Sequence, residues 1–347
     1  MSDSILAERL TAQGLADPRL PDPVAVAERL LAVQGQDPRG FRLAVRARTE
    51  GLSAADVERA LAGRELVVSW LNRGTLHLVR GEDYPLLQAL TTPPLLTSCA
   101  RRLRQEGVSE AVAELALKTI ERALAEEGPL TRQQLRERLD SAGVPTEGQA
   151  LIHLLFLAAV RGLVVRGPTI GKQHAYVLTR EWLGEAPAIE RDVGLAELAR
   201  RFLVGHQPAG DRDLAKWAGL PLRDARAGLA AIATELEEGE DGLLRLRKRP
   251  APGEIPPPRL LGAFDPVLLG WTSREDVIGR HTSLVTRNGI FHPFAMADGR
   301  AVAKWGFPAG KVNLQPLERL PAGVAAALEV DAADVVRFLS GPDHSAG

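Results

Sequence analysis

Residues 65–79 read ELVVSWLNRGTLHLV, two β-rich apolar runs separated by Leu71-Asn72-Arg73-Gly74. An Asn and a Gly between two such runs predict a β-hairpin. Upstream, apolar positions at helical spacing predict helices over residues 23–31, 39–49 and 53–62. Three helices followed by a hairpin is the element order of a winged helix.

The same order of elements occurs twice more along the chain. Helices predicted over 109–126, 131–142 and 146–160 precede strands 163–166 and 174–178, and helices over 191–203, 211–218 and 221–236 precede strands 243–247 and 259–264. The short middle helix opens in both copies with a similar segment, Gly128-Pro129-Leu130-Thr131 and Gln207-Pro208-Ala209-Gly210-Asp211. The offset of roughly 80 residues indicates an internal repeat.

After Phe264 the pattern changes to a β-meander. Strands are predicted over 283–286, 290–296 and 301–305, separated by an Arg-Asn-Gly and an Ala-Asp-Gly-Arg turn. A helix over 322–338 and a polar tail predicted to be disordered complete the chain. We therefore predict an α+β protein of three tandem winged helices (1–95, 96–188 and 189–264) and a C-terminal meander and helix (265–347).

The composition excludes several classes of protein. The chain has 347 residues, 45% hydrophobic and 25% charged, which is typical of a soluble globular protein. A single cysteine, Cys99, excludes a disulfide framework and cysteine-rich metal sites. The N-terminus has no signal-peptide pattern, and the longest apolar run, Ala150 to Val160, is too short for a bilayer. The sequence predicts a cytoplasmic protein without membrane contact, and a net charge of −1 without a coiled coil favours a monomer.

Arginine makes up 37 of the 43 basic residues. The codon bias of a GC-rich genome accounts for such an excess, so only clustering argues for phosphate recognition. Three clusters occur: Arg39, Arg42, Arg46 and Arg48; Arg101, Arg102 and Arg104; Arg245, Arg247, Lys248 and Arg249. Within winged helices these clusters favour binding of duplex DNA, whereas the alternative for each one is a solvated surface.

Four stretches resemble one known family along nearly the whole chain: LLAVQGQDPRGFRLAVRART (30–49), VVSWLNRGTLHLV (67–79), LGAFDPVLLGW (261–271) and NGIFHPFAMADGRAVAKW (288–305). It is the bacterial winged-helix DNA-binding family that contains the AlkZ-type interstrand-crosslink DNA glycosylases. The resemblance implies three winged helices around a C-shaped, DNA-sized channel. It also implies a catalytic Gln-x-Gln motif, which falls on Gln34 and Gln36, and a DNA-contacting hairpin at Ile290–Lys304. Gly35 departs from the aliphatic residue usual in self-resistance members.

The chemistry of the motif suits alkylated bases. An N7- or N3-alkylated purine is already cationic and leaves without protonation, so positioning of the attacking water is the main requirement. A Gln carbonyl can accept a hydrogen bond from that water. We assign the water to Gln36 and its orientation, or a sugar contact, to Gln34, with the reverse assignment left open. Asp37, directly before Pro38, is interpreted as a helix cap.

The sequence therefore predicts a monofunctional DNA glycosylase that acts in the nucleoid on double-stranded DNA with alkylated bases, with no cofactor and no metal. For His77, core packing is the alternative to DNA contact. A non-catalytic regulator that does not depend on the Gln pair is the competing function, and three winged helices without a sensor domain favour the enzyme. The predicted DNA-contacting residues are Arg39, Arg42, Arg73, Thr75, His77, Arg101, Arg102, Arg287, Asn288 and His292.

Overall fold

The computed structural model describes residues 3–171 and 173–340, so the polar tail predicted to be disordered lies largely outside the described residues. The chain divides into two compact units. The first unit consists of the residues up to Val57 and those from Asp192 onward, and the second unit is Glu58–Arg191. Both units contain helices and strands, which confirms the predicted α+β class.

The structure contains the predicted helices and most of the predicted strands, together with several helices that the sequence analysis did not predict. The α-helices are α1 (Asp3–Ala12), α2 (Pro23–Leu30), α3 (Pro38–Arg46), α4 (Ala54–Ala62), α5 (Tyr84–Thr91), α6 (Pro93–Gln105), α7 (Glu110–Glu127), α8 (Arg132–Ser141), α9 (Ala150–Val160), α10 (Thr179–Leu183), α11 (Arg191–His206), α12 (Asp211–Ala218), α13 (Leu222–Ala231), α14 (Glu275–Ile278) and α15 (Ala322–Ser340). The β-strands are β1 (Val33–Gln34), β2 (Leu66–Trp70), β3 (Leu76–Arg80), β4 (Val164–Ile170), β5 (Gln173–Leu178), β6 (Leu236–Glu238), β7 (Leu244–Leu246), β8 (Arg259–Leu261), β9 (Phe294–Ala297), β10 (Arg300–Gly306) and β11 (Asn313–Pro316). Among the described residues, no helix combines the length and the apolarity needed to cross a membrane.

The second unit is organised around two antiparallel hairpins. Strands β2 and β3 pair as the LNRG turn predicts, with Ser69 opposite His77. Strands β4 and β5 form the other hairpin, and β2 joins β4 through Val68 and Arg166. The four strands therefore share one sheet in the order β3-β2-β4-β5. Apolar side chains of α6, α7, α8 and α9 form a core that includes Trp70 and Tyr176.

The first unit contains a four-stranded antiparallel sheet in the order β11-β10-β9-β8. Its β9–β10 turn is the predicted Ala-Asp-Gly-Arg turn. Asp298 and Gly299 take φ values of 49° and 74°, the left-handed conformation that a tight hairpin turn requires. Leu43 of α3 and Leu328 and Val335 of α15 pack with the sheet residues in one buried cluster.

A short β-bridge recurs in the two later copies of the repeated order. Leu130, directly before the N-cap of α8, pairs with Tyr176 of β5, and Ala209, directly before the N-cap of α12, pairs with Leu244 of β7. In each copy the segment that opens the middle helix therefore joins the hairpin that follows the third helix. This shared bridge supports the repeat that the sequence indicated.

Two predicted helices extend several residues too far at their C-terminal ends, and the helix predicted from residue 146 begins only at Ala150. The helix predicted to reach Thr49 ends at Arg46, because Thr49 turns away to bridge Leu20. The helix predicted to reach Leu236 ends at Ala231, because Leu236 opens β6 and pairs with Leu246 of β7.

The strand assignments after residue 243 also need correction. The strand at Arg259–Leu261 pairs with β9 in the larger sheet, not with the third hairpin. The strand predicted over 283–286 is a 3-10 turn, Thr282–Leu284, followed by a single bridge between Val285 and Phe291. Only one bridge forms because the turn closes at once, with the Thr286 N–H donating to the Ile290 carbonyl. Strand β11 was not predicted.

Candidate active site and nucleic-acid interface

The Gln-x-Gln segment follows a constrained turn. Leu31, directly after α2, has a φ of 62°, a left-handed conformation that an L-residue rarely adopts. Its side chain is fully buried, and the Ala32 N–H donates to the Leu30 carbonyl over 2.7 Å. Packing around Leu31 holds this conformation, so the chain enters β1 and the motif in a fixed geometry.

Gln34 and Gln36 contact each other directly. The Nε2 atom of Gln34 donates to Oε1 of Gln36 over 2.5 Å. Gln34 is buried, at 6% exposure, whereas Gln36 is exposed. The inner amide therefore orients the outer one, and the outer one faces solvent.

Asp37 is the N-cap of α3, as its position before Pro38 predicted. Its Oδ1 accepts from the backbone N–H groups of Arg39 and Gly40, each over 2.8 Å. A side-chain oxygen in this position satisfies donors that the first turn of a helix leaves without a partner. This carboxylate oxygen next to the Gln pair is thus engaged by the helix.

Helix α3 packs backbone against backbone on the segment after β8. A Cβ on Gly40 would overlap the carbonyl oxygen of Ala263, and a Cβ on Gly262 would lie 2.8 Å from the Gly40 carbonyl oxygen. Only glycine permits this approach. The glycines of the PRGF and LGAF stretches were the sequence signal for this contact, which the sequence interpretation missed.

Half of the first arginine cluster is structural, which corrects its interpretation as a phosphate-binding group. Arg46 donates to Asp331 and Asp334 of α15, over 2.9 and 2.9 Å. Arg48 has no exposed surface and forms a two-armed ion pair with Asp265. Buried charges need such partners. Neither side chain is available to a phosphate in this structure.

The other half of the cluster lies at the surface of the first unit. Arg39 is exposed, with its guanidinium carbon 5.3 Å from the centre of the Phe307 ring. Arg42 is partly exposed, lies 4.5 Å from the centre of the Phe41 ring and donates to the Pro38 carbonyl over 2.5 Å. Both cations lie on α3, within eight residues of Gln34 in the sequence.

The third arginine cluster is also mostly committed to ion pairs. Arg245 is buried and bonds to Glu8 over 2.6 Å and to Asp241 over 2.7 Å. Arg249 pairs with Glu237 over 2.6 Å. Hydrogen bonds to Asp241 and Glu8 raise the pKa of Arg245, and the interpretation of this cluster as a phosphate-binding group is wrong for Arg245 and Arg249.

The first hairpin carries Arg73, Thr75 and His77 in the second unit. Arg73 has a φ of 58° in the turn and is partly exposed, and the Thr75 hydroxyl donates to the Asn72 carbonyl over 3.2 Å. His77 is only 2% exposed, with Nδ1 2.9 Å from the Thr75 carbonyl oxygen. Burial, aided by the charge of Arg73, lowers the pKa of His77 to about 3. A neutral, buried imidazole fits the packing alternative, not a surface contact with DNA.

The second arginine cluster lies on α6 of the second unit. Arg101, Arg102 and Arg104 are exposed, and Arg102 donates to Gln105 over 3.1 Å. Among the described residues, Arg101 and Arg104 have no carboxylate partner. This cluster is therefore a positively charged helix surface.

The turn at Arg287 and Asn288 lies in the first unit, and both side chains are exposed. His292 is partly buried, and its N–H donates to the Leu284 carbonyl over 2.9 Å. The guanidinium carbon of Arg274 lies 5.1 Å from the centre of the Phe291 ring, and Phe291 itself is buried. Within residues 3–171 and 173–340, no three His, Cys, Asp or Glu side chains are grouped to hold a metal ion.

Comparison with known proteins defines the class of this chain. A family model described as "DNA glycosylase AlkZ-like" matches residues 27–338, which include Gln34, Gln36 and the β8–β11 sheet. The class is therefore that of the DNA N-glycosylases, which are hydrolases acting on DNA. This chain belongs to the AlkZ-like DNA glycosylase family.

Two matches extend over almost the full length of both proteins. The chain is 28% identical over 364 residues to a Streptomyces sahachiroi protein named "Interstrand DNA cross-link repair glycosylase", covering 96% of this chain and 95% of the relative. The solved structure of the Streptomyces sahachiroi DNA glycosylase AlkZ superposes with a TM-score of 0.77 at 24% identity, over 96% of this chain and 95% of that one. The structural match shows that the fold is shared.

Proposed function

We propose that this protein is a monofunctional DNA glycosylase that hydrolyses the N-glycosidic bond of N7- or N3-alkylated purines. The hydrogen bond from Gln34 to Gln36 carries the proposal. A buried amide holds an exposed amide in one orientation, which is the arrangement required to position a water molecule without a charged base.

The exposed amide is the water-binding group. The Gln36 carbonyl oxygen uses one acceptor position for Gln34, and a carbonyl oxygen has a second one. A water that donates to this position directs its oxygen lone pair at C1′ of the lesion nucleotide. As the C1′–O bond forms, the C1′–N bond breaks, the base leaves with the bonding electrons, and the proton of the water passes to the solvent that Gln36 faces. The amide dipole also faces the positive charge that develops on the sugar. Gln34 is buried and orients the Gln36 amide through its hydrogen bond.

Amides are sufficient because the substrate supplies the rest of the driving force. A purine alkylated at N7 or N3 is cationic, so it departs as a neutral base and needs no general acid. The Asp37 oxygen that accepts from the Arg39 and Gly40 N–H groups serves the helix instead. Preorganised placement of the water then supplies most of the remaining acceleration.

Three winged helices are part of the proposal. The elements α7, α8, α9, β4 and β5 and the elements α11, α12, α13, β6 and β7 repeat one order. Both copies have the bridge that joins the middle helix to the hairpin, and α2, α3, α4, β2 and β3 follow the same order. We assign them to residues 1–95, 96–188 and 189–264, with 265–347 as the C-terminal part.

Winged helices use a helix and a hairpin against duplex DNA. We propose duplex contacts at the exposed and partly exposed cations and polar groups, while the buried His77 supports the first hairpin from within. The protein acts as a monomer on the DNA of the nucleoid. The contact residues are Arg39, Arg42, Arg73, Thr75, Arg101, Arg102, Arg287, Asn288 and His292.

Bulky adducts and interstrand crosslinks belong to the proposed substrate range. The Streptomyces sahachiroi relative is named a crosslink repair glycosylase, and a bifunctional alkylating agent can link two purines through these same ring nitrogens.

The experiment is single-turnover cleavage of two duplexes, one with a single N7-methylguanine and one with an interstrand crosslink through purine N7 atoms. The proposal predicts abasic product from the first duplex and unhooked strands from the second. Binding of undamaged duplex is measured in parallel. Sequence-selective binding with no product from either duplex would establish the regulator instead.

A further inference from the structure

Arg166 of β4 lies between two aromatic rings of the second unit. Its guanidinium carbon is 4.5 Å from the centre of the Trp70 ring and 5.2 Å from that of Tyr176. Cross-strand pairing with Val68 fixes its backbone at the junction of the two hairpins. Trp70 in turn contacts Phe156 edge to face, at 5.8 Å between ring centres. The guanidinium plane is therefore held in one place before any ligand arrives.

The hydrogen-bond donors of Arg166 distinguish it from the fully buried arginines. Each of those five has a carboxylate or carbonyl acceptor; they are Arg9, Arg46, Arg48, Arg245 and Arg259. The Nε atoms of Arg166 and Arg46 are both buried without an acceptor, but Arg46 has carboxylate partners at its other two nitrogens. Among the described residues no carboxylate pairs with Arg166, although its side chain is partly open to solvent.

A second cation lies near the same place. Burial raises the pKa of the Tyr176 hydroxyl, and the charges of Arg166 and Arg132 both act to lower that pKa. Leu130, two residues before Arg132, forms a β-bridge with Tyr176, so the start of α8 lies beside the strand that carries this phenol. Arg132 is the exposed first residue of α8, and no carboxylate among the described residues pairs with it.

A stacked guanidinium without a carboxylate offers its in-plane N–H groups to an anion. The planar guanidinium of arginine matches the oxygens of a phosphate. The rings of Trp70 and Tyr176 already cover the faces of the Arg166 guanidinium. We propose that Arg166, assisted by Arg132, binds one phosphate of the DNA backbone. This site rests on the proposed function, because duplex DNA supplies the phosphate, and it contributes affinity without reading sequence.

The test compares four proteins: wild type, Arg166→Gln, Arg166→Lys and Arg138→Gln. Arg138 is the matched control, since it lies on α8 but pairs with Glu127 over 2.7 Å at the surface. Anisotropy with an undamaged duplex is recorded over a series of salt concentrations, and thermal unfolding is recorded for each protein.

Arg166→Gln should weaken binding roughly tenfold and reduce the slope of log K against log salt by about one. Arg166→Lys should keep the slope but bind more weakly than wild type, because it keeps the charge and loses the fork. Arg138→Gln should match wild type. In a second experiment, inorganic phosphate is added to the complex at constant ionic strength. Millimolar phosphate should not displace the duplex.

Unchanged affinity and salt slope in Arg166→Gln would overturn the inference, including the case in which only its thermal stability falls. Displacement of the duplex by free phosphate, lost in Arg166→Gln, would make this an inorganic phosphate site and also overturn it. Failure of the wild-type protein to bind any duplex would reject the proposed function together with this site.

Discussion

Arg48 and Asp265, 217 residues apart in the chain, form an ion pair with no solvent exposure on either side chain. The guanidinium donates to both carboxylate oxygens, over 3.0 and 2.9 Å, and also to the Gln13 side chain over 3.1 Å. Asp265 additionally accepts from the Val267 N–H. This ion pair connects the residue two positions after α3 to the segment after β8. Helix α3 begins next to Gln34 and Gln36.

Breaking this pair should be costly, because one charge would remain buried without compensation. We predict that Asp265→Asn lowers the free energy of unfolding by about 3–5 kcal/mol, measured by urea denaturation. Arg48→Met should cost a similar amount, and the double variant should cost less than the sum of the two. A loss below about 1 kcal/mol in Asp265→Asn, typical of an exposed pair, would contradict this account.

The close contact between Gly40 and Ala263 predicts that one added methyl group at residue 40 lowers the free energy of unfolding. Gly40→Ala should destabilise the protein by about 1–3 kcal/mol, despite the better helix propensity of alanine. The control is Gly323→Ala in α15, where an added Cβ meets no atom within 4 Å and should leave stability unchanged or improved. Equal stability of the two variants in urea denaturation would show that α3 can move away from Ala263.

The buried His77 predicts a pH dependence of stability. Its folded pKa of about 3 lies below the unfolded value of about 6.5, so between these values the unfolded state binds the extra proton. The contribution of neutral His77 to the free energy of unfolding is complete above pH 6.5 and is lost as the pH falls toward 3. Wild type should lose about 2 kcal/mol more than His77→Gln between pH 7 and pH 5, measured by urea denaturation. Identical losses would place His77 in an environment open to protons.

The proposed catalysis by two amides predicts a flat pH profile. Neither glutamine titrates, and a cationic leaving group needs no acid. The single-turnover rate on N7-methylguanine with saturating enzyme should therefore stay within about twofold between pH 5.5 and 8.5, whereas an essential acid or base would change it about tenfold per pH unit on the limiting side. A bell-shaped profile would assign the chemistry to a titrating side chain.

The parts of the structure that were predicted correctly depend on local chemistry. The LNRG and Ala-Asp-Gly-Arg turns specify hairpins through residues that accept a left-handed backbone, and Asp37 before Pro38 specifies a helix cap. The Gln pair was found through its family resemblance, and its hydrogen bond spans only two residues.

The failures have a common physical cause. Arg46 and Arg48 were interpreted as surface cations because the carboxylates that neutralise them, Asp331 and Asp265, lie more than 200 residues away in the sequence. Strand β8 was assigned to the wrong sheet for the same reason, since its partner β9 follows a long segment without regular strands. Pairing at such separation depends on the packed fold, which local patterns do not encode.

The central claim is that Gln36 positions the attacking water and Gln34 orients Gln36. The direct measurement is the single-turnover rate on a duplex with one N7-methylguanine for Gln34→Ala and Gln36→Ala. Gln133→Ala, in which an exposed helical glutamine bonded to Glu137 is removed, is the control. Both motif variants should lose activity by roughly a hundredfold or more, with duplex affinity within about twofold of wild type and Gln133→Ala fully active. Rates near wild type in either motif variant would contradict the account and make that glutamine a structural residue.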